Sequence, residues 1–341
     1  MYSFKNDYSE GAHPNILQRL LQTNTVQQAG YGEDEYSLEA KARIRQRIGH
    51  PEAVVHFISG GTQTNLIAIA ALLRPHEAVI SAQTGHIATN EAGAIEATGH
   101  KVITVAASDG KLVPEAIEEA LRSRALAPHV VKPRLVYISN ATELGTVYTR
   151  RELEALAAVC KANDLLLYLD GARLGHALTA DANDLTFEEV ARLTDVFYIG
   201  ATKNGGLLGE ALVFTAPELA VDFGYVLKQK GALLAKGRIL GIQFEELFRN
   251  DLYFTLARQA NDAARQLAEA LIRKGISFWI PPTTNQLFPI LSRHQIETLS
   301  ERYQFYVWKE IDATQAAIRL ITSWATPEAV INAFIADLET L

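Results

Sequence analysis

The sequence predicts an α/β protein: a large domain with a mostly parallel seven-stranded sheet flanked by helices, and a small C-terminal α+β domain. Three observations predict it. Short apolar runs alternate with helical patterns through the first two thirds of the chain. Two of those runs, Leu135-Val-Tyr-Ile138 and Leu165-Leu-Leu-Tyr-Leu169, are apolar on both faces, as strands inside a parallel sheet should be. From about residue 238 the texture changes to a long helix and then to strand–strand–helix–strand–strand–helix.

Strands are expected near 54–58, 78–81, 101–105, 134–139, 165–169, 196–199 and 211–214. Helices are expected near 36–48, 63–73, 88–98, 114–123, 151–162, 186–193 and 216–221. Residues 1–240 make the large domain, N-terminal segment included, and 241–341 the small one. A helical pattern over roughly 238–274 is broken at Arg249-Asn-Asp251 and stops at Lys274-Gly275. Strand-like runs follow at 276–280, 286–291, 305–308 and 317–321. A helix near 293–302 divides them, and a last one opens at Thr326-Pro327. There is no internal repeat or low-complexity tract.

A chain of 341 residues, 48% hydrophobic, can bury a large core. Its formal net charge of -7 leaves no basic surplus, which argues against nucleic acid or an anionic membrane as partner. No apolar run is long enough to span a bilayer, and Met1–Asp7 shows no apolar signal region. The single cysteine, Cys160, excludes an intrachain disulfide and fits a reducing, cytoplasmic setting. No basic group flanks it closely, so it reads as a small buried apolar residue rather than a nucleophile. Asn140-Ala-Thr142 matches a glycosylation sequon, idle without secretion.

Three strand ends carry the chemistry. The run from Val54 ends in Ser59-Gly60-Gly61-Thr62, a glycine turn that opens a helix and presents free amides to an anion. The run from Leu165 ends in Asp170, and the run from Asp195 ends at Lys203 before Gly205 and Gly206. An amine, an acid and an anion cradle are what pyridoxal phosphate (PLP) requires. Lys203 would hold its aldehyde as a Schiff base, and Asp170 would keep its pyridine nitrogen protonated. Taken singly, each has a plainer reading. Lys203 reads equally well as a surface loop lysine, Asp170 as a turn residue before Gly171, and the glycine turn as an ordinary strand-to-helix junction. The glycine spacing fits neither a Walker motif nor a dinucleotide fingerprint, which weakens a nicotinamide dehydrogenase. Arg173 is placed to neutralise a carboxylate or phosphate, or to pair with Asp170. His86 is available to stack on a ring. His86 and Glu91 also have the look of a metal pair, but no third ligand is nearby and no metal is expected.

Together these segments resemble the threonine aldolase family of PLP enzymes, a β-eliminating lyase group within the aspartate-aminotransferase-like PLP-transferase fold. Tyr31-Gly-Glu-Asp34 resembles the family's early Tyr-Gly-acid-Asp. Gly60-Gly-Thr-Gln-Thr-Asn65 resembles its phosphate turn, and Gly85-His86 with Glu91-Ala-Gly93 its stacking-histidine segment. Asp170-Gly-Ala-Arg173 matches its Asp-Gly-Ala-Arg, Thr202-Lys203 its Schiff-base lysine, and Ile318-Arg319-Leu-Ile-Thr322 its C-terminal strand. The resemblance covers nearly the whole chain. It implies that Gly61 and Thr62 bind the phosphate and His86 stacks on the ring. It makes Arg173 and Arg319 candidates for the substrate carboxylate, and Tyr31 another substrate-side residue. It also implies a homodimer or homotetramer with shared active sites.

Several positions depart from the family pattern. Lys5-Asn6-Asp7 stands where Arg-Ser-Asp is usual, so Asn6 replaces a carboxylate-binding serine. Ser139-Asn-Ala-Thr-Glu143 replaces Glu-Asn-Thr-His-Asn, removing a histidine and bringing in the acid Glu143. Ser323 and Trp324 follow the C-terminal strand in place of a histidine segment. Gly231-Ala-Leu-Leu-Ala-Lys236-Gly-Arg238 replaces a glycine-rich stretch with a phosphate-binding arginine, leaving Lys236 or Arg238 for that role. The expected function is a PLP-dependent aldehyde-lyase acting on a β-hydroxy-α-amino acid, with Lys203, His86 and Glu143 at the chemistry. The alternatives are β-elimination, transamination, or a catalytically silent PLP-fold protein.

Overall fold

The computed structural model of the chain describes residues 1–123 and 126–339. Seven strands form the main sheet: β2 (Val54–Ile58), β3 (Glu77–Ala82), β4 (Lys101–Val105), β5 (Lys132–Ser139), β6 (Leu166–Asp170), β7 (Val196–Gly200) and β8 (Glu210–Phe214). They run in the order β2-β8-β7-β6-β5-β3-β4, and β8 is antiparallel to both its neighbours. The two runs apolar on both faces became β5 and β6, side by side and parallel. Their faces feed two separate cores. Val136, Ile138, Leu167 and Leu169 pack toward one, and Leu135, Tyr137, Leu166 and Tyr168 toward the other.

Two expected helices shorten. The stretch 88–98 holds only one helical turn, His86–Thr89, and a 3-10 turn at Glu96–Thr98, with Ala92 and Gly93 at positive φ between them. The stretch 216–221 is a 3-10 turn, Pro217–Ala220. The break predicted at Arg249–Asp251 is real. Asn250 and Asp251 take left-handed φ of 52° and 55°, separating the helix Arg238–Leu247 from Leu252–Arg273.

A third core belongs to the small domain. Its sheet has β13 (Gln315–Ile321) at the centre, flanked by β10 (Ile290–Ser292) and β12 (Tyr306–Glu310), with β9 (Gln286–Leu287) also on β13. Pro289 divides the single strand expected over 286–291, since it has no N–H for the ladder. The strand expected at 276–280 reduces to one bridge, Phe278 to Pro289. The N-terminal segment is shared: its first residues join the small domain, while Ala12 and Ile16 pack in the large-domain core. β1 (Tyr2–Ser3) pairs with β11 (Tyr303–Gln304), and Phe4 is buried among Leu267, Tyr303 and Phe334. The helix Arg238–Leu247 packs with the large-domain core through Phe244 and Leu247. The helix Leu252–Arg273 serves both cores. That helix gives Tyr253, Phe254 and Leu256 to the large core and Ala264 to Leu271 to the small one. No helix among the described residues is long and apolar enough to cross a membrane.

Candidate active site

The carboxyl ends of β5, β6 and β7 converge on Asp170. Ser139 stands opposite Asp170, and Tyr137 opposite Tyr168, one pleat back. Period-2 alternation therefore puts Tyr137, Tyr168 and Asp170 on one face. Tyr198 of β7 joins them. Tyr137 Oη donates to Asp170 Oδ2 at 2.5 Å, and Tyr198 Oη to Oδ1 at 2.5 Å. The Ala172 amide donates to Oδ1 at 3.0 Å, and Asn65 Nδ2 to Oδ2 at 3.1 Å. Burial alone would raise the Asp170 pKa. Electrostatic attraction to His86 and the hydrogen bonds from Tyr137, Tyr198 and Ala172 together outweigh it and leave the carboxyl below its ordinary value. Gly171 is required where the chain turns away, because a Cβ there would run into the Tyr198 carbonyl oxygen.

Asp170 lies in the floor of a cavity of about 310 Å³. Ser59, Gly60, Gly61 and Thr62 line one end, where the helix Gly61–Leu72 begins. Its first helical bond runs from the Thr64 amide to the Gly60 carbonyl, so the amides before it are free to meet an anion. Lys203 lines the same cavity. No hydrogen bond or ion pair among the described residues engages its ammonium. Burial, and then the Arg173 guanidinium, push its pKa down. An amine with a lowered pKa, an ionised acid and a free-amide cradle in one cavity fit PLP as a donor set.

His86 opens the short helix His86–Thr89 at the mouth of the cavity. Its Nδ1 meets Glu91 Oε1 at 2.8 Å, and Asn65 donates to the same oxygen at 2.7 Å. Glu91 therefore orients the ring and leaves Nε2 for the cavity, rather than sharing a metal. Among the described residues no group of three or more metal-binding side chains is assembled. Glu143 comes in beside it. Glu143 Oε1 accepts from Ser139 Oγ at 2.8 Å and from the His86 amide at 2.9 Å. Burial, then the nearby Asp170 charge, raises its pKa.

A second cavity, about 480 Å³, adjoins the first and shares His86, Glu143, Arg173 and Lys203 with it. Asn6, Trp308 and Arg319 belong to this outer space. Arg319 Nη2 donates to Gln286 at 2.7 Å, its guanidinium lies 4.6 Å from the Trp308 ring centre, and its Nε is buried without a partner. Burial and then Arg173 lower its pKa to about 10. Arg173 does not pair with Asp170. Its Nε and Nη2 hold Asp7 at 2.7 and 3.0 Å. Asn6 Oδ1 caps its own turn by accepting from the Tyr8 amide and Ser9.

Three expected residues lie outside these cavities. Tyr31 is 48% exposed, with its ring under Lys228. Lys236 is exposed. Arg238 donates to the carbonyls of Val26 and Thr23 at 2.6 Å each, so its fork already holds this chain's N-terminal region. Sequence reasoning also missed residues. Tyr137 and Tyr198 were hidden in apolar runs, although the shared offset from each strand end carried the signal. Glu210 lines the inner cavity, and His176 is fully buried beside Asp7 and Arg173 with neither ring nitrogen bonded. Burial pushes the His176 pKa down to about 4, so it is neutral. Neither had a sequence signal. Cys160 is buried and its thiol is pushed up to about 12, as an unreactive core residue should be.

The chain matches the beta-eliminating lyase family over residues 7–323 and belongs to it. Among its relatives is a low specificity L-threonine aldolase of Pseudomonas aeruginosa, 34% identical over 95% of this chain and 93% of the relative. Another, from a Pseudomonas strain, is 33% identical over 99% and 97%. The structure of Leishmania major threonine aldolase superposes with a TM-score of 0.98 at 49% identity, covering 100% of this chain and 99% of that one. Aspartate aminotransferase of Thermus thermophilus shares the fold, with a TM-score of 0.73 at 16% identity over 100% and 91%.

Proposed function

We propose that this chain is a PLP-dependent aldehyde-lyase that cleaves a β-hydroxy-α-amino acid, of the L-threonine or L-allo-threonine type, to glycine and an aldehyde. The uncommitted Lys203 amine, in one cavity with an ionised Asp170 and the glycine cradle, carries this reading. The names of the Pseudomonas and Leishmania relatives point the same way. Lys203 would hold the cofactor covalently, Asp170 its pyridine nitrogen, Gly61 and Thr62 its phosphate, and His86 its ring face. When bound, PLP supplies an electron sink for the pair left on Cα as the Cα–Cβ bond breaks.

The chain's own residues do the rest. Arg319 faces the outer cavity with an unpaired Nε, and Arg173 keeps Nη1 clear of Asp7; both are available to a substrate carboxylate. Glu143 Oε1 is held by two donors, which leaves Oε2 for a β-hydroxyl proton. Its raised pKa makes it a stronger base than an ordinary glutamate. His86, turned by Glu91, is the other candidate. The test is the absorption spectrum of the purified protein with L-threonine and L-allo-threonine added. A visible band and release of glycine with acetaldehyde support the reading. A keto acid, with ammonia or with a transferred amine, would overturn the cleavage.

The assembly belongs to the same proposal. Tyr31 and Lys236 are exposed and line neither the inner nor the outer cavity, and a second copy would give them a site to serve, in a homodimer or homotetramer. A cytoplasmic setting rests on the single buried thiol.

A further inference from the structure

Glu210 is a buried acid that the mechanism above does not use. It opens β8, paired with Gly200 on the lysine's strand and with Ile58 on the cradle's strand. This register sets it between Lys203 and the glycine turn, and it lines the inner cavity with both. Only 3% of it is exposed. Oε1 is fixed: Thr202 Oγ1 donates to it at 2.9 Å, and the Gly209 amide holds Thr202 in place at 3.0 Å. Oε2 is buried and has no partner. A buried carboxyl oxygen left bare is costly, and one in a reactive cavity invites a ligand or a role.

The other acids near Lys203 already have a role. Asp7 is held by Arg173 and Asn285. Asp170 is ringed by four donors, and Glu143 turns toward Ser139 and the His86 amide. Glu210 alone of these hangs from the residue next to Lys203, and its second oxygen is free. The groups that face it are Lys203 and Asp170, with the neutral phenols of Tyr168, Tyr198 and Tyr253 behind.

Building on the PLP reading, we propose that Glu210 is the proton partner of Lys203. When a substrate amine displaces Lys203 from the cofactor, the freed ε-amine takes the proton from Glu210 Oε2. No other bond changes in that transfer. The result is an ammonium–carboxylate pair that keeps the lysine parked and returns the proton when the lysine re-attaches. Burial raises the Glu210 pKa to about 8, so near neutral pH it has a proton to give.

The test is stopped-flow absorbance of the full-length holoenzyme mixed with glycine, which displaces the lysine but has no Cβ to lose. Glu210→Gln keeps the Thr202 bond but carries no transferable proton. The wild type should show a rate that falls above about pH 8. Glu210→Gln should be at least tenfold slower at pH 7 and lack that fall. Glu210→Ala should recover speed with added formate, which also covers poor folding of the glutamine variant. A Glu210→Gln enzyme with the wild-type rate and pH profile overturns the proposal, as does an alanine variant indifferent to formate. A wild-type protein without a visible band overturns the PLP reading itself and this proposal with it. A normal band and displacement without aldehyde release from threonine would sink only the aldolase reading.

Discussion

Arg173 grips Asp7 with two parallel hydrogen bonds, 2.7 Å from Nε and 3.0 Å from Nη2, across 166 residues of sequence. This pair fastens the first residues of the chain, which join the small domain through β1 and Phe4, to the turn after β6. Asn285 donates to the same Asp7 at 2.9 Å and to the Thr322 carbonyl. Three distant pieces of chain therefore meet at one carboxylate beside the cavities. The guanidinium is positioned by protein before any substrate arrives, which is how a binding group avoids ordering costs.

Asp7→Ala should destabilise the fold by roughly 3–5 kcal/mol, because it strands a buried guanidinium rather than removing a surface pair. Urea denaturation measures it. The pH dependence has a definite sign. Burial alone would raise the Asp7 carboxyl, but the Arg173 charge, the Lys203 charge and the Arg173 hydrogen bonds together outweigh it and hold it well below the ordinary carboxylate range. Its contribution is fully present above the unfolded value of about 3.9 and is lost as pH falls through the lower folded value. The alanine variant should lack that part of the acid sensitivity.

Tyr137→Phe and Tyr198→Phe should each weaken the ionised state of Asp170. Hydrogen bonds to charged groups contribute about 1.5–3 kcal/mol, so each variant should bind PLP about tenfold or more weakly. Both phenols touch one carboxylate, so the double variant should not be the sum of the singles. Cofactor titration followed by absorbance checks both points. Unchanged affinity in both singles would mean that Asp170 does not hold the pyridine nitrogen.

Lys203→Ala should lose both the visible band and turnover. Its fold should survive, since the ammonium makes no contact that holds the structure together. Circular dichroism and the absorption spectrum, taken on one sample, separate the two effects. A full-activity alanine variant would end the assignment.

The seven strands were legible because each is a short apolar run closed by a turn residue. Asp170 and Lys203 were legible because they interrupt such runs. What stayed hidden depends on pairing between strands. Tyr137 and Tyr198 read as ordinary core aromatics until β5, β6 and β7 line up and aim them at one carboxylate. Glu210 looks like a loop acid after Gly209 until the antiparallel β8 carries it back alongside the cradle. The Arg173–Asp7 pair was invisible for the same reason: local spacing favoured Asp170 as the partner. The N-terminal β1 was missed because a two-residue strand has no period to read.

The choice between Glu143 and His86 as base yields the last prediction. A base must be unprotonated, so activity falls as pH drops through its pKa. Burial and the Asp170 charge push the Glu143 carboxyl above the ordinary value of about 4.3. If Glu143 takes the β-hydroxyl proton, the acid limb of kcat sits above the usual glutamate range. Glu143→Gln then removes that limb and costs about 10²–10⁴ in kcat, the usual worth of a positioned base. His86→Gln should instead act mainly on cofactor affinity, because under the proposed reading the ring that Glu91 orients, lining the inner cavity, stacks on the cofactor. A large kcat loss in His86→Gln, with the acid limb of Glu143→Gln unchanged, would reverse the two roles. The structure favours Glu143 on one point. Its Oε1 is pinned by Ser139 and by the His86 amide, so its second oxygen has a fixed position on the substrate side, as a proton acceptor requires.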